Sequence, residues 1–249
     1  MENESVVELA GLTKRFGDFV AVSNVDLAVA AGDIFALLGP NGAGKTTTIR
    51  MLMGILQPSA GSASVLGLDC FRDRAAVMRR VGYLPDEPIF YDYLRGDEIL
   101  RFVGEMHGIP GDEIQDRAAP LVKQLDLAGA LKEYAVNYSK GMKKKLAIVC
   151  ALLHDPVLLV LDEPTNGLDP YATRTFHDLI RAKAEAGNSV FFSTHLLDQA
   201  ERLCHHVGIV HKGKLAAIGK LDDLRSSLAE GGSLEEIFFA VTDVEAEAE

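Results

Sequence analysis

The sequence predicts an α/β fold, a largely parallel sheet with a helical subdomain inserted between its strands. Three observations predict it. Residues 34–38 (IFALL) form an apolar run that leads into glycine-rich 39–46 (GPNGAGKT) and then into helix-spaced apolar residues. Residues 157–161 (VLLVL) and 189–193, with its VFF, are continuous apolar runs of strand length, as expected for strands buried on both faces. Between the first of these strands and the other two, from about 95 to 154, the apolar spacing becomes helical.

The elements follow in order. Residues 6–10 and 20–29 place apolar residues in the alternating manner of strands, and Phe16 and Val22 flank the turn-like Gly17-Asp18. After the strand 34–38, a helix is predicted over 46–55, with Ile49, Leu52, Met53 and Leu56 at helical spacing. Short strands are predicted at 64–68 and 81–84, with a helix over 72–80 between them. Ile99, Phe102, Val103 and Met106 define a helix that ends at Gly108-Ile109-Pro110. Ile114, Leu121, Val122 and Leu125 define a second, with Pro120 marking a kink or break. A third covers 146–153. Strand 157–161 precedes a helix over 170–186 that carries Pro170 at its first position, where a missing N–H costs nothing. Strand 189–193, helix 196–203 and strand 207–210 follow. The Lys212-Gly213 turn makes 207–218 a hairpin, and 221–228 and 234–240 are terminal helices. No internal repeat or low-complexity segment is evident.

A chain of 249 residues is one large domain or two small ones, with ample length to bury a core. Its 48% apolar and 24% charged residues fit a soluble globular protein. No apolar run approaches the roughly 18–20 residues that cross a bilayer. The acidic start MENESVVELA lacks a signal-peptide pattern, so the chain is expected to stay on the side where it is made. The net charge of −11 argues against a nucleic-acid partner, because non-specific binding rests on neutralising phosphates. Asp243, Glu245, Glu247 and Glu249 make an acidic tail, expected to be a solvated end. Cys70, Cys150 and Cys204 are odd in number and form no C-x-x-C, which points to a reducing, cytosolic setting. Cys204-His205-His206 is not expected to hold a metal, since adjacent residues rarely point at one ion.

Gly39, Pro40, Asn41, Gly42, Ala43, Gly44, Lys45 and Thr46 fit the phosphate-loop pattern, in the strand–loop–helix context it requires. Gly42 and Gly44 can adopt positive φ and let the backbone approach a bulky anion. The helix start adds unpaired N–H groups and partial positive charge. Lys45 is placed for the β- and γ-phosphates, and the Thr46 hydroxyl for Mg²⁺. Such a loop needs a carboxylate at the end of a buried strand, expected beside the loop strand; Asp162 fits. Glu163 follows and is placed to orient a water and accept its proton. His195 also ends a buried strand, expected to neighbour that of Asp162. From the residues alone, a structural role and contact with the γ-phosphate remain equally open for it.

Three further segments complete a set: Tyr138-Ser139-Lys140-Gly141-Met142, Asn166-Gly167-Leu168-Asp169 and Ser193-Thr194-His195. In this order and spacing the chain resembles, over nearly its whole length, the nucleotide-binding subunit of an ATP-binding cassette (ABC) transporter. The resemblance implies a P-loop NTPase (RecA-like) core, an N-terminal antiparallel β subdomain and an inserted helical subdomain at about 87–155. The cassette would cover 1–220, with a short helical extension and acidic tail over 221–249. It implies that Phe16 stacks on adenine, a strand-edge core role being the alternative, and that the phosphate loop runs on through Thr47. Asp162 would be the Mg²⁺-associated acid, Glu163 the catalytic base and His195 the switch histidine. Asp169 would belong to the loop that crosses the dimer interface. Ser139 and Gly141 would bind the γ-phosphate held by another subunit.

The departures from the family pattern are specific. Lys140 and Met142 differ from the usual Leu-Ser-Gly-Gly-Gln in a way that resembles some export-type members. Lys143, Lys144 and Lys145 read as a solvated face. In Tyr83-Leu84-Pro85-Asp86-Glu87 the family usually has Gln at Asp86. Either Asp86 keeps a metal-side role with altered geometry, or it is a turn residue after Pro85. Residues 89–95 (IFYDYLR) either receive a membrane subunit or pack in the core. Residues 231–242 resemble the ending of export subunits. The function implied is an ATP- and Mg²⁺-dependent ATPase subunit, a homodimer or heterodimer on the cytoplasmic face of the cell membrane. It would power transport, in the export direction, through a separate integral membrane permease. A soluble cassette ATPase of repair, translation or cofactor assembly is the rival.

Overall fold

A computed structural model describes residues 5–227 and 233–243. Two sheets organise them. Strands β1 (Ser5–Phe16), β2 (Phe19–Ala30), β4 (Ala60–Val65) and β5 (Leu68–Asp69) form an antiparallel sheet in the order β2-β1-β4-β5. Strands β3 (Ile34–Leu38), β6 (Val81–Leu84), β7 (Leu158–Asp162), β8 (Ser189–Thr194), β9 (His206–His211) and β10 (Lys214–Lys220) form the second, in the order β10-β9-β3-β8-β7-β6. That sheet is parallel except for the terminal β9–β10 hairpin.

The helices are α1 (Lys45–Leu52), α2 (Arg74–Met78), α3 (Gly96–Met106), α4 (Gly111–Gln124), α5 (Lys140–Leu152), α6 (Pro170–Glu185), α7 (Leu197–Leu203), α8 (Leu221–Ser227) and α9 (Leu234–Asp243). Helices α3, α4 and α5 lie between β6 and β7 in the chain, so the helical stretch interrupts the strands as predicted.

The continuous apolar runs are explained by burial on both faces. Ile34, Ala36 and Leu38 of β3 join a core with α5 and α6, through Leu146, Val149, Phe176 and Ile180. Phe35 and Leu37 point the other way, into a core with α1 and the antiparallel sheet. There Phe35 stacks on Phe191 with ring centroids 5.4 Å apart. Alternation therefore survives, but both sets of side chains are apolar.

Three local expectations are corrected. Residues 64–68 are not one strand: the chain turns at Leu66 and Gly67, both at positive φ, between β4 and β5. Pro120 does not break α4, which runs on to Gln124. The strand of Asp162 is not beside the loop strand, because β8 lies between β3 and β7. The strand leading to His195 does neighbour that of Asp162, as expected.

The terminal helices dock through Glu201 of α7, which accepts from Leu234 N at 3.0 Å and pairs with Arg225 at 3.0 Å. Leu221, Leu234 and Ile237 enter the core. Of the acidic tail, Glu245, Glu247 and Glu249 lie outside the described residues, as do Gly231 and Gly232 of the 231–242 segment.

Candidate functional site

The carboxyl ends of β3, β8, β7 and β6 all open on one edge of the sheet, the usual ligand side of an open parallel sheet. From that edge emerge Gly39, His195, Glu163 and Asp86. A cleft of about 500 Å³ lies over it, lined by residues that include Phe19, Gly42, Lys45, Thr46, Glu163 and His195.

The loop takes its shape from its glycines. Gly44 caps α1 at φ 103°, and a Cβ there would fall 2.5 Å from Ala21 O. The first N–H groups of α1 are left facing the cleft, a ready anion site. Lys45 is 6% exposed; its Nζ donates to Gly39 O at 2.7 Å and Pro40 O at 3.1 Å, and lies 3.3 Å from Glu163 Oε1. A triphosphate offers this ammonium charged acceptors, which are stronger than carbonyls.

Behind the loop, Thr46 Oγ1 donates to Asp162 Oδ1 at 3.2 Å. Ser193 Oγ donates to the same oxygen at 2.6 Å and accepts from Glu163 N at 3.1 Å. Ser193 sits on the strand between β3 and β7, and it is how Asp162 is held although its strand is one place removed from the loop strand. Burial pushes the Asp162 carboxyl above its ordinary range, with Asp86 and Glu163 adding repulsion and the Ser193 and Thr46 hydroxyls opposing.

Glu163 has φ 44°, a left-handed conformation that costs a non-glycine residue about 1–3 kcal/mol. The strain is held by Ser193, Lys45 and His195, whose Nδ1 lies 2.9 Å from Glu163 Oε2. Glu163 Oε1 is buried and has no hydrogen-bond partner. It is thus a desolvated acceptor oxygen beside the Lys45 ammonium.

These groups fit a divalent cation with a nucleotide. Among the described residues no cluster of three or more His, Cys, Asp or Glu side chains could hold a metal unaided. A phosphate-loop Mg²⁺ asks less of the protein: one or two oxygens, with phosphates and waters completing the octahedron. Thr46 and Asp162 could supply that pair, with carboxylates gathered around them whose mutual repulsion a cation would relieve. Asp86 lines the same cleft and its Oδ1 accepts from Asn166 Nδ2 at 3.1 Å.

Phe16 does not line the cleft. It is 51% exposed, with Lys14 Nζ 5.2 Å from its ring centroid, and is paired across the β1–β2 hairpin with Phe19, which does. Core packing is therefore not its role. Phe19 was missed in the sequence because only the hairpin register brings it to the loop.

Ser139 and Gly141 also lie outside the cleft lining. Ser139 caps α5, its Oγ accepting from Met142 N at 3.2 Å. A Cβ on Gly141 would meet Gly167 O at 2.9 Å, so glycine lets α5 approach the 166–169 loop. Asp169 caps α6, accepting from Ala172 N at 2.9 Å, and pairs with Lys145 at 3.3 Å. Its carboxyl is held below the usual range, first by the Ala172 N–H.

The expectation that Lys143 to Lys145 form a solvated face is overturned at Lys144, which is 1% exposed. The expectation for 89–95 divides: Ile89, Tyr91 and Tyr93 are 91%, 70% and 85% exposed, while Phe90 and Leu94 pack on the core. His205 and His206 place their Nδ1 atoms 3.1 Å and 2.6 Å from the two oxygens of Asp33, at the opposite end of the sheet.

A model of the family described as ABC transporter matches residues 22–166. The chain is 39% identical over 226 residues to the probable multidrug ABC transporter ATP-binding protein YbhF of Escherichia coli (strain K12), covering 91% of this chain and 39% of that one. It is 39% identical over 222 residues to the bacitracin transport ATP-binding protein BcrA of Bacillus licheniformis, covering 89% of this chain and 72% of that one. Among solved structures, one described as the ATP binding subunit of an ABC transporter superposes with TM-score 0.90 at 34% identity, covering 95% of this chain and 99% of that one. The chain spans about two fifths of the YbhF protein's length.

Proposed function

The chain belongs to the ABC transporter family, and on that premise we propose that it binds and hydrolyses ATP to drive a separate membrane permease. The observation that carries this reading is the convergence of Lys45, Thr46, Asp162, Ser193, Glu163 and His195 from three segments at one sheet edge. Gly39 to Thr47 would wrap the phosphates in backbone N–H groups, and Lys45 would bind the β- and γ-phosphates. Thr46 and Asp162 would hold Mg²⁺, which when bound neutralises phosphate charge and polarises the γ-phosphoryl group. Glu163 accepts the proton of the attacking water, and His195 orients Glu163 and reaches the γ-phosphate. Phe19 lines the cleft and Phe16 is its partner across the hairpin, and we assign adenine stacking to this pair.

One chain supplies only part of the enclosure. Ser139 and Gly141 cap a helix start outside the cleft, with backbone N–H groups suited to an anion. Two chains facing head to tail, identical or related, would set this edge against the other's ATP. A ligand that completes an interface shifts the equilibrium toward the closed dimer, and hydrolysis releases it. Ser139→Arg is expected to leave ATP binding to a single chain unchanged and to lower hydrolysis by about 10²-fold. Equilibrium nucleotide binding and turnover measured together check this; unimpaired turnover would remove the trans role.

Asp86 is proposed to keep a metal-side role. Asp86→Gln exchanges a charged oxygen for an amide and is expected to raise the Mg²⁺ concentration for half-maximal hydrolysis several-fold, roughly. An unchanged rate, Mg²⁺ dependence and transport coupling would contradict it.

The partner reading rests on the exposed Ile89, Tyr91 and Tyr93, one aliphatic and two aromatic anchors next to the Asp86 segment. Among the described residues no helix is long and apolar enough to cross a membrane, so a permease would have to be another chain or segment. The multidrug and bacitracin transport roles named for the relatives favour export, from a peripheral position on the cytoplasmic face. Affinity purification from solubilised membranes tests this: an integral membrane protein should co-elute, and a purely soluble complex would favour the rival ATPase class.

A further inference from the structure

Lys144 is the buried cation that the ATPase reading leaves without a task. It lies on the second turn of α5, two positions after Met142, and its side chain is 1% exposed. Its Nζ donates to Asp86 O at 2.9 Å, to Pro85 O at 3.1 Å and to Asp162 O at 3.4 Å. An ammonium has three N–H donors and no acceptor, so this triad of carbonyls uses its full capacity. The three acceptors belong to two different strand ends. Pro85 and Asp86 follow β6; Asp162 ends β7 and is followed by Glu163.

Burying a lysine among carbonyls is costly unless the charge is compensated. Burial pulls the Lys144 ammonium down to about 8, while Asp86, Asp162, Glu163 and Glu87 oppose that shift and favour its charged form. The residue is not part of the phosphate-loop cleft's lining, and its charge counters that of the carboxylates from beneath α5.

From this geometry we infer that Lys144 is a positioning residue: it ties the helix capped by Ser139 to both the Asp86 segment and the Asp162–Glu163 strand end, and so sets the placement of the acids that hydrolyse ATP. The inference rests on the ATPase reading above. Movement of α5, whose N-terminus would meet the partner chain's ATP, is thereby transmitted to this chain's own acids through one side chain. The loss expected on cutting it follows from the sensitivity of reacting groups to placement, where 1 Å costs on the order of 10² in rate.

Lys144→Met keeps the apolar stem and removes the charge and donors. Hydrolysis by the full chain is measured against ATP and Mg²⁺ concentration, per chain competent to bind a fluorescent ATP analogue. For Lys144→Met, kcat is expected to fall about 10- to 100-fold while the ATP KM and the analogue's Kd stay within about threefold. Lys144→Arg, which retains charge and donors, is expected to recover most of kcat. If Lys144→Met melts below the assay temperature, Lys144→Gln carries the same expectation, since its amide offers two donors and no charge. Wild-type kcat per competent chain in the Met or Gln variant overturns the inference, as does a proportional fall of kcat and affinity. A wild-type chain that binds no ATP and hydrolyses none overturns the ATPase reading itself; an active wild type with an unaffected variant overturns the Lys144 role alone.

Discussion

Glu163→Gln is expected to lower ATP turnover by about 10²–10⁴-fold, the range for loss of a positioned general base, while ATP still binds. The substitution is nearly isosteric, so the His195 contact at Glu163 Oε2 can persist through an amide. What disappears is the carboxylate that would take a proton from water, whose buried Oε1 lies beside Lys45 without a hydrogen bond. The carboxylate's repulsion of phosphate charge disappears as well, so the variant should hold the ATP-closed dimer longer than the wild type does. Size-exclusion chromatography with ATP and Mg²⁺ should show a dimer that the wild type passes through only transiently. A variant that stays monomeric with saturating ATP would count against the two-chain site, and one with wild-type turnover would remove Glu163 as base.

Lys45→Ala has a comparably large expected effect, through binding. The ammonium is the one side-chain cation lining the described phosphate-loop cleft, and its loss should reduce kcat/KM by about 10²–10³-fold. There is a second consequence in the free chain. Lys45 is the cation 3.3 Å from the buried Glu163 carboxylate, and breaking a buried pair from one side costs about 3–5 kcal/mol. The double variant Lys45→Ala, Glu163→Gln should therefore melt higher than Lys45→Ala alone, yet bind ATP no better. Thermal unfolding with and without ATP reads both effects. In the wild type, ATP at a hundred times its Kd should add about 2.7 kcal/mol, and in either Lys45 variant almost nothing at the same concentration. A full ATP-dependent rise in Lys45→Ala would remove the phosphate-loop assignment.

Particular elements show what could be read in advance. The strand Ile34–Leu38, the strand Val81–Leu84 and the β9–β10 hairpin at the opposite edge of the sheet were legible because burial on two faces or a tight turn leaves a local pattern. Boundaries were less so: β1 and β2 extend beyond the alternating segments, to Phe16 and from Phe19, because pairing with each other stabilises residues that have no core to face. The helix at 114–125 was legible from its apolar spacing, and Pro120 does not break it.

The candidate site divides in the same way. Lys45, Thr46, Asp162, Glu163 and His195 lie at strand ends or at a helix start, and the chemistry of a phosphate site demands those residue types there. Ser193, Asn166 and Phe19 gave little warning. Ser193 became visible only once β8 was seen to lie between β3 and β7, where its hydroxyl reaches both Asp162 and Glu163. Lys144 gave a contrary warning, since three consecutive lysines resemble a solvated face. A helix rotates 100° per residue, so three neighbours cannot share an environment once one face is packed.

By itself, the sequence determined the α/β class, the phosphate loop, the strand-end acids and the family, because each is encoded in local pattern or residue type. Only the tertiary structure decided strand order, the shared hydroxyl of Ser193, the exposure of Tyr91 and Tyr93 and the burial of Lys144. Those depend on which distant segments meet, and side-chain environment is a property of the assembled surfaces rather than of the residue or its neighbours in the chain.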